Sequence, residues 1–142
     1  MSTSLFRFGG RAFWIHGGVA EIWFSAFADE VQLNFDDVVW LGEISSKIEE
    51  ALRHAWVTAV VDIFDEYANL INFSTLKSIV VAVNARLVLL AEADEVVKAN
   101  SFQAARSFLL PEIEMLSFIF FSPEKVAAPP RVFTLDEGWK VA

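Results

Sequence analysis

The sequence predicts an α+β fold: one mainly helical domain over residues 1–142, with four or five helices and an N-terminal β-hairpin or three-strand meander. Three observations carry this. Residues 11–24, "RAFWIHGGVAEIWF", alternate about a glycine pair. From Asp36 the apolar spacing changes to threes and fours, at 41, 44, 48, 52 and 55. Residues 76–90 are apolar nearly all round, which is how a centrally buried helix reads.

In chain order, residues 1–10 form a lead-in in which Phe6 and Phe8 alternate and Gly9-Gly10 break the run. Gly17-Gly18 suit a two-residue hairpin turn, since both can take positive φ. That turn pairs Trp14 with Glu21 and Phe13 with Ile22. One face then holds Phe13, Ile15, Ala20, Ile22 and Phe24, and must be core. The other holds Trp14, His16, Val19, Glu21 and Trp23. A third strand is expected in "VQLNF", residues 31–35. The helix that follows has cap candidates in Asn34, Asp36 and Asp37. Its outer face carries Glu43, Ser46, Lys47, Glu49, Glu50 and Arg53. "VTAVVDIFDEYANLINF" continues as helix, with Val57, Val60, Val61, Phe64 and Leu70 near one side; "TAVVDIF" as a strand is the alternative. Ser74 or Thr75 caps the central apolar helix, for which a buried strand pair is the alternative, given its β-branched residues. Asp94-Glu95 open a shorter segment. "NSFQAARSFLL" is a helix with Phe102, Ala105, Phe108 and Leu109 inward, and Pro111 starts a further helix. "SPEKVAAPP" is a loop. "RVFTLDEGWKVA" is a last strand with a turn at 136–138.

Composition narrows the function. Nineteen carboxylates oppose 11 cations, for a net charge of −8. That balance speaks against nucleic acid and anionic membranes, which need basic patches. It permits capture of a basic partner, and it also serves solubility. Fourteen Phe and five Trp lift the hydrophobic share to 55%, and aromatic excess is characteristic of interface cores. With no cysteine, thiolate catalysis and Cys-ligated metals are excluded. The first residues lack the basic and apolar regions of a signal peptide, so a cytoplasmic protein is expected. The apolar run "SIVVAVNARLVLLA" contains Asn84 and Arg86 and falls short of the roughly 20 residues of a membrane span.

No catalytic signature is present. His16 and His54 lack partners at metal-ligand spacing. No nucleophile elbow, Gly-rich nucleotide loop or calcium loop occurs. Asp62, Asp65 and Glu66 read as a solvated helix face. No cofactor, metal or catalytic residue is therefore expected. What remains is surface: Trp14, His16, Glu21 and Trp23 on the hairpin's second face, rimmed by Glu43, Glu49 and Glu50, with Trp40 and Trp139 as further candidates. Tryptophan anchors with a polar rim are the pattern of a protein-binding site; the alternative is that the tryptophans cover the core from a second layer.

In size and charge the chain is similar to the small acidic immunity and antitoxin proteins of bacterial toxin systems. The resemblance covers no motif and transfers no residue. It implies a non-enzymatic domain that masks a basic toxin or enzyme, since acidic complementarity gives fast, specific capture. Two other readings stand beside it. One is a small-molecule-binding domain or enzyme with an aromatic pocket, in which His16 and Glu21 supply polar groups. The other is a structural homodimer subunit that buries the apolar excess.

Overall fold

The computed structural model describes residues 3–54, 61–92, 100–121 and 131–134. The fold is α+β and mainly helical, with an N-terminal hairpin as expected. Strands β1 (Thr3–Phe8) and β2 (Arg11–His16) pair antiparallel, Phe6 opposite Phe13. The turn between them is Gly9-Gly10, at φ 61° and 80°. Two successive positive φ values define the type I′ turn that matches strand twist, and glycine takes them without a Cβ clash. A two-residue strand, β3 (Phe133–Thr134), adds to the far edge of β2.

The glycine pair at 17–18 is therefore not the turn. Those residues begin helix α1 (Gly17–Asn34), and no strand follows at 31–35. The apolar positions explain why. Val19, Ala20, Trp23, Phe24, Phe27, Ala28 and Val31 recur at threes and fours and all are buried, so a helix buries them on one face where a strand would split them between two. The alternation within β2 holds: Phe13 and Ile15 point inward, Trp14 and His16 outward. Beyond Gly17 the expected facing of Val19, Ile22 and Trp23 does not, although Ala20 and Phe24 are buried and Glu21 is exposed as expected.

Helix α2 (Val39–Arg53) buries Leu41, Ile44 and Ile48 and exposes Glu43, Lys47, Glu49 and Glu50, as its period predicts. Its N-cap is Val38 and no side chain caps it, so Asn34, Asp36 and Asp37 do not serve. The expected long helix through residue 70 is, among the described residues, only the single turn α3 (Ile63–Glu66). Val61 and Phe64 are buried but Leu70 is exposed. Asn72, rather than Ser74 or Thr75, starts the next helix: its Oδ1 accepts from Thr75 N–H at 3.2 Å, satisfying a first-turn donor that has no partner within the helix.

Helix α4 (Phe73–Glu92) is one helix, not a strand pair. It is buried on one side only: Ile79, Val80 and Val83 are inside, Val81 and Leu89 outside. Counted from its first turn, the window Phe73–Leu90 is long and apolar enough to cross a membrane, longer than the apolar run alone suggests. In the fold a third of that window is buried, with Asn84 and Arg86 tied to neighbouring elements as described below. Helix α5 (Asn100–Phe121) runs through Pro111 without a break. A proline removes one helical N–H, and here the stripe Leu109, Ile113, Leu116, Phe120 stays buried on both sides of it. The expected helix residues Val57 and Val60, the segment at Asp94-Glu95, the loop at 122–130, the turn at 136–138 and Trp139 lie outside the described residues.

The core centres on Phe6, whose ring lies 5.9–6.3 Å from those of Phe13, Trp23, Phe24, Phe64 and Phe120. These residues come from β1, β2, α1, α3 and α5. Most pairs are tilted or edge-on, the geometries an aromatic quadrupole favours. Five of the chain's 14 Phe thus meet in this cluster.

Candidate functional site

The junction of β2 and α1 holds the least common chemistry in the fold. His16 precedes α1 with an extended backbone. Its N–H donates to Glu112 Oε1 at 2.6 Å, and its Nδ1 lies 2.5 Å from Oε2. Glu112 has no exposed surface. A buried carboxylate needs partners on both oxygens; here they are the His16 amide and ring, with Arg131 Nη2 at 3.5 Å. The positive end of α1 adds to this. Phe108 stacks on the imidazole at 3.7 Å and 12°. With an ionised carboxylate as the acceptor, Nδ1 is the ring nitrogen that donates and Nε2 points away from Glu112. A carboxylate on Nδ1 fixes the orientation of the ring. Among the described residues no three potential metal ligands cluster.

His16 therefore pairs with Glu112, not Glu21. Trp14 is outward and 48% exposed, and its carbonyl accepts from Arg131 Nη2 at 2.9 Å. It overlooks a shallow groove with Leu5, Arg7, Val61 and Asp62. There Arg7 donates from Nε and Nη2 to both Asp62 oxygens, at 2.8 and 3.2 Å. That hydrogen bonding, opposed by desolvation, raises the Arg7 pKa above its ordinary value. Asp65 Oδ1 accepts from Gly9 N–H. These carboxylates clamp the hairpin, a role more specific than the solvated face expected of them.

Trp23 is the clearest correction. It has no exposed surface and lies among Phe6, Phe27 and Phe120, so it does not share a surface with Trp14. Its Nε1 donates to Asn84 Oδ1 at 2.8 Å, and Asn84 Nδ2 donates to Ser117 Oγ at 2.9 Å. One buried amide thus joins α1, α4 and α5. Arg86 similarly donates to the Ala26 carbonyl at 2.8 Å and approaches Glu30 at 3.6 Å.

The expected rim residues are where the helical period puts them. Glu43, Glu49 and Glu50 are exposed on α2, and Glu21 is exposed on α1. Glu21 borders a groove with Ser25 and Leu52 between the two helices. Glu49 accepts from Gln32 Nε2, linking α2 to α1. Asp29, Asp36 and Asp37 are exposed on the same helices and the turn joining them. Two apolar side chains stand out beside them: Leu33 at 70% and Val39 at 78% exposure. Trp40 is half-buried.

No protein-family model, curated protein or solved structure matches the chain. The reading of function therefore rests on these residues. The sequence reasoning missed Glu112, Arg131, Asn84, Leu33 and Val39. For the first three no local signal exists, since their partners are between 19 residues (Arg131 to Glu112) and 117 residues (Arg131 to Trp14) away. For Leu33 and Val39 the signal was present: neither falls on the buried stripe of its helix.

Proposed function

We propose that the chain is a non-enzymatic binding domain that captures a basic protein partner on its α1–α2 face. One observation carries this: Leu33 and Val39 stand exposed beside the carboxylates of Asp29, Asp36, Asp37 and Glu43. Between residues 17 and 54 the sequence has eight carboxylates and two cations. An apolar contact with an acidic surround supplies affinity from the first and fast, salt-sensitive association from the second. The exposed anchors are Leu33 and Val39, with Trp40 partly available, rather than Trp23. This charge logic is that of the immunity and antitoxin proteins to which the chain is similar in size and charge, and on this reading it acts in a bacterial cytoplasm.

The test begins with purification of the tagged chain and identification of a stoichiometric partner, followed by association kinetics on the reconstituted pair. Glu49→Lys with Glu50→Lys is expected to slow association about tenfold at low salt and much less at high salt. Leu33→Ser with Val39→Ser is expected to speed dissociation while circular dichroism stays unchanged. A partner whose kinetics ignore both double variants overturns the reading, as does a chain that light scattering shows to be a homodimer closed through this face.

A further inference from the structure

At the other end of the hairpin, on the side away from the Asp62 and Asp65 contacts to Arg7 and Gly9, one groove has a cationic lining. It has a volume of about 430 Å³ and lies beside the Gly9-Gly10 turn. Phe8, Phe73, Phe120 and Phe121 wall it, and Arg11 and Lys77 are its charged residues. In a chain with 19 carboxylates and 11 cations, no carboxylate lines this groove among the described residues. The volume is within the roughly 300–1,000 Å³ typical of small-molecule sites, which are mostly apolar with a few placed polar groups.

The walls are pre-formed. Phe8 stacks on Phe73 at 5.9 Å and 23°, and lies 5.1 Å from Phe120. Phe73 nevertheless remains 47% exposed. Lys77, one turn further along α4, holds its Nζ 4.8 Å from the Phe73 ring. Arg11 is fixed by donating to the Ile119 carbonyl at 3.3 Å and by lying over Phe118 at 5.1 Å. That bond also offsets the negative end of α5, which would otherwise repel an anion here. The N-terminal end of α4 at Phe73 contributes positive potential of its own.

We propose that this groove binds an amphipathic organic anion, a carboxylate or sulfonate with an aromatic or alkyl body. The body covers Phe73 and lies against Phe8 and Phe120, removing their exposed faces from water. The anionic head meets Lys77, with Arg11 adding charge from the β2 side. The site is separate from the acidic α1–α2 face, and the charges of the two surfaces select opposite ligands.

The probe is anilinonaphthalene sulfonate, titrated by fluorescence into the full chain, with decanoate and decanol as competitors. Saturable binding at one site is expected, with decanoate displacing the probe far better than decanol. Lys77→Glu is expected to weaken binding about tenfold or more, and Phe73→Ala by a similar factor. Lys77→Gln, with an intact circular dichroism spectrum, serves as the milder second variant and is expected to show a smaller loss. Amide chemical shifts on adding decanoate should move at Gly9, Phe73 and Lys77. Affinities unchanged by the Lys77 variants, equal competition by decanol, or shifts confined to α1 and α2 would each overturn the proposal.

Discussion

Glu112 is the residue whose removal the fold should feel most among its charged groups. It has no exposure, and the His16 amide and ring and the Arg131 guanidinium converge on it. Glu112→Ala leaves the His16 amide without its acceptor and a cavity beside Phe108. The expected loss is about 2–4 kcal/mol, since breaking a buried hydrogen-bonded pair costs more than the pair's net contribution. His16→Ala should cost less, because its side chain is 18% exposed and Glu112 retains the backbone donor. Urea unfolding of both singles and the double gives the coupling directly. Additive effects would mean that the ring contact contributes nothing. A second residue-scale expectation concerns Asn84. Asn84→Leu strands the buried Trp23 N–H and the Ser117 hydroxyl, and should lower stability by about 1–3 kcal/mol. An unchanged midpoint would mean that the amide bridge is energetically idle.

Turn glycines and helix glycines respond oppositely to the same substitution. Gly9→Ala forces a Cβ into φ 61°, where an L-residue is strained, and should destabilise by about 1–2 kcal/mol. Gly42→Ala meets nothing within 4 Å inside α2 and should stabilise by up to about 1 kcal/mol. Thermal midpoints moving in the same direction would overturn the assignment of the turn. Two glycine pairs eight residues apart made this the hardest element to read. Both sit between apolar residues, and the hairpin signal does not distinguish them. The discriminating cue was the spacing of Ala20, Trp23, Phe24, Phe27 and Val31, in steps of three and four that a strand would split between its two faces. Helix α2 was readable because its apolar stripe is narrow and its outer face charged. The start of α4 was not, because Asn72 acts through a single side-chain bond. Of the candidate site, the carboxylates followed from helical period alone. The His16–Glu112 contact spans 96 residues and follows from no local pattern.

At the scale of the whole molecule, α4 divides its apolar content between two environments. Ile79 and Val83 have no exposure and face α1 and α5, while Val81 and Leu89 are 56% and 68% exposed. Helical spacing requires this, because residues 79, 83 and 87 lie on one side and 81, 85 and 89 on another. The buried side is continuous with the aromatic cluster that joins β1, β2, α1, α3 and α5, so a charge placed there opposes packing across the molecule. Val83→Asp should leave no cooperative unfolding transition, since an unpaired buried carboxylate costs several kcal/mol against a typical total stability of about 5–15 kcal/mol. Val81→Asp and Leu89→Asp put the same charge in water and should change stability by less than about 1 kcal/mol. The three variants share one chemistry and one helix, so composition and propensity nearly cancel between them. What differs is the direction in which each Cβ points. Circular dichroism melts should therefore separate Val83→Asp from the other two. If Val81→Asp or Leu89→Asp also abolishes folding, that face of α4 is covered in solution, and a second copy of the chain, detectable by light scattering of the wild type, becomes the expected cover.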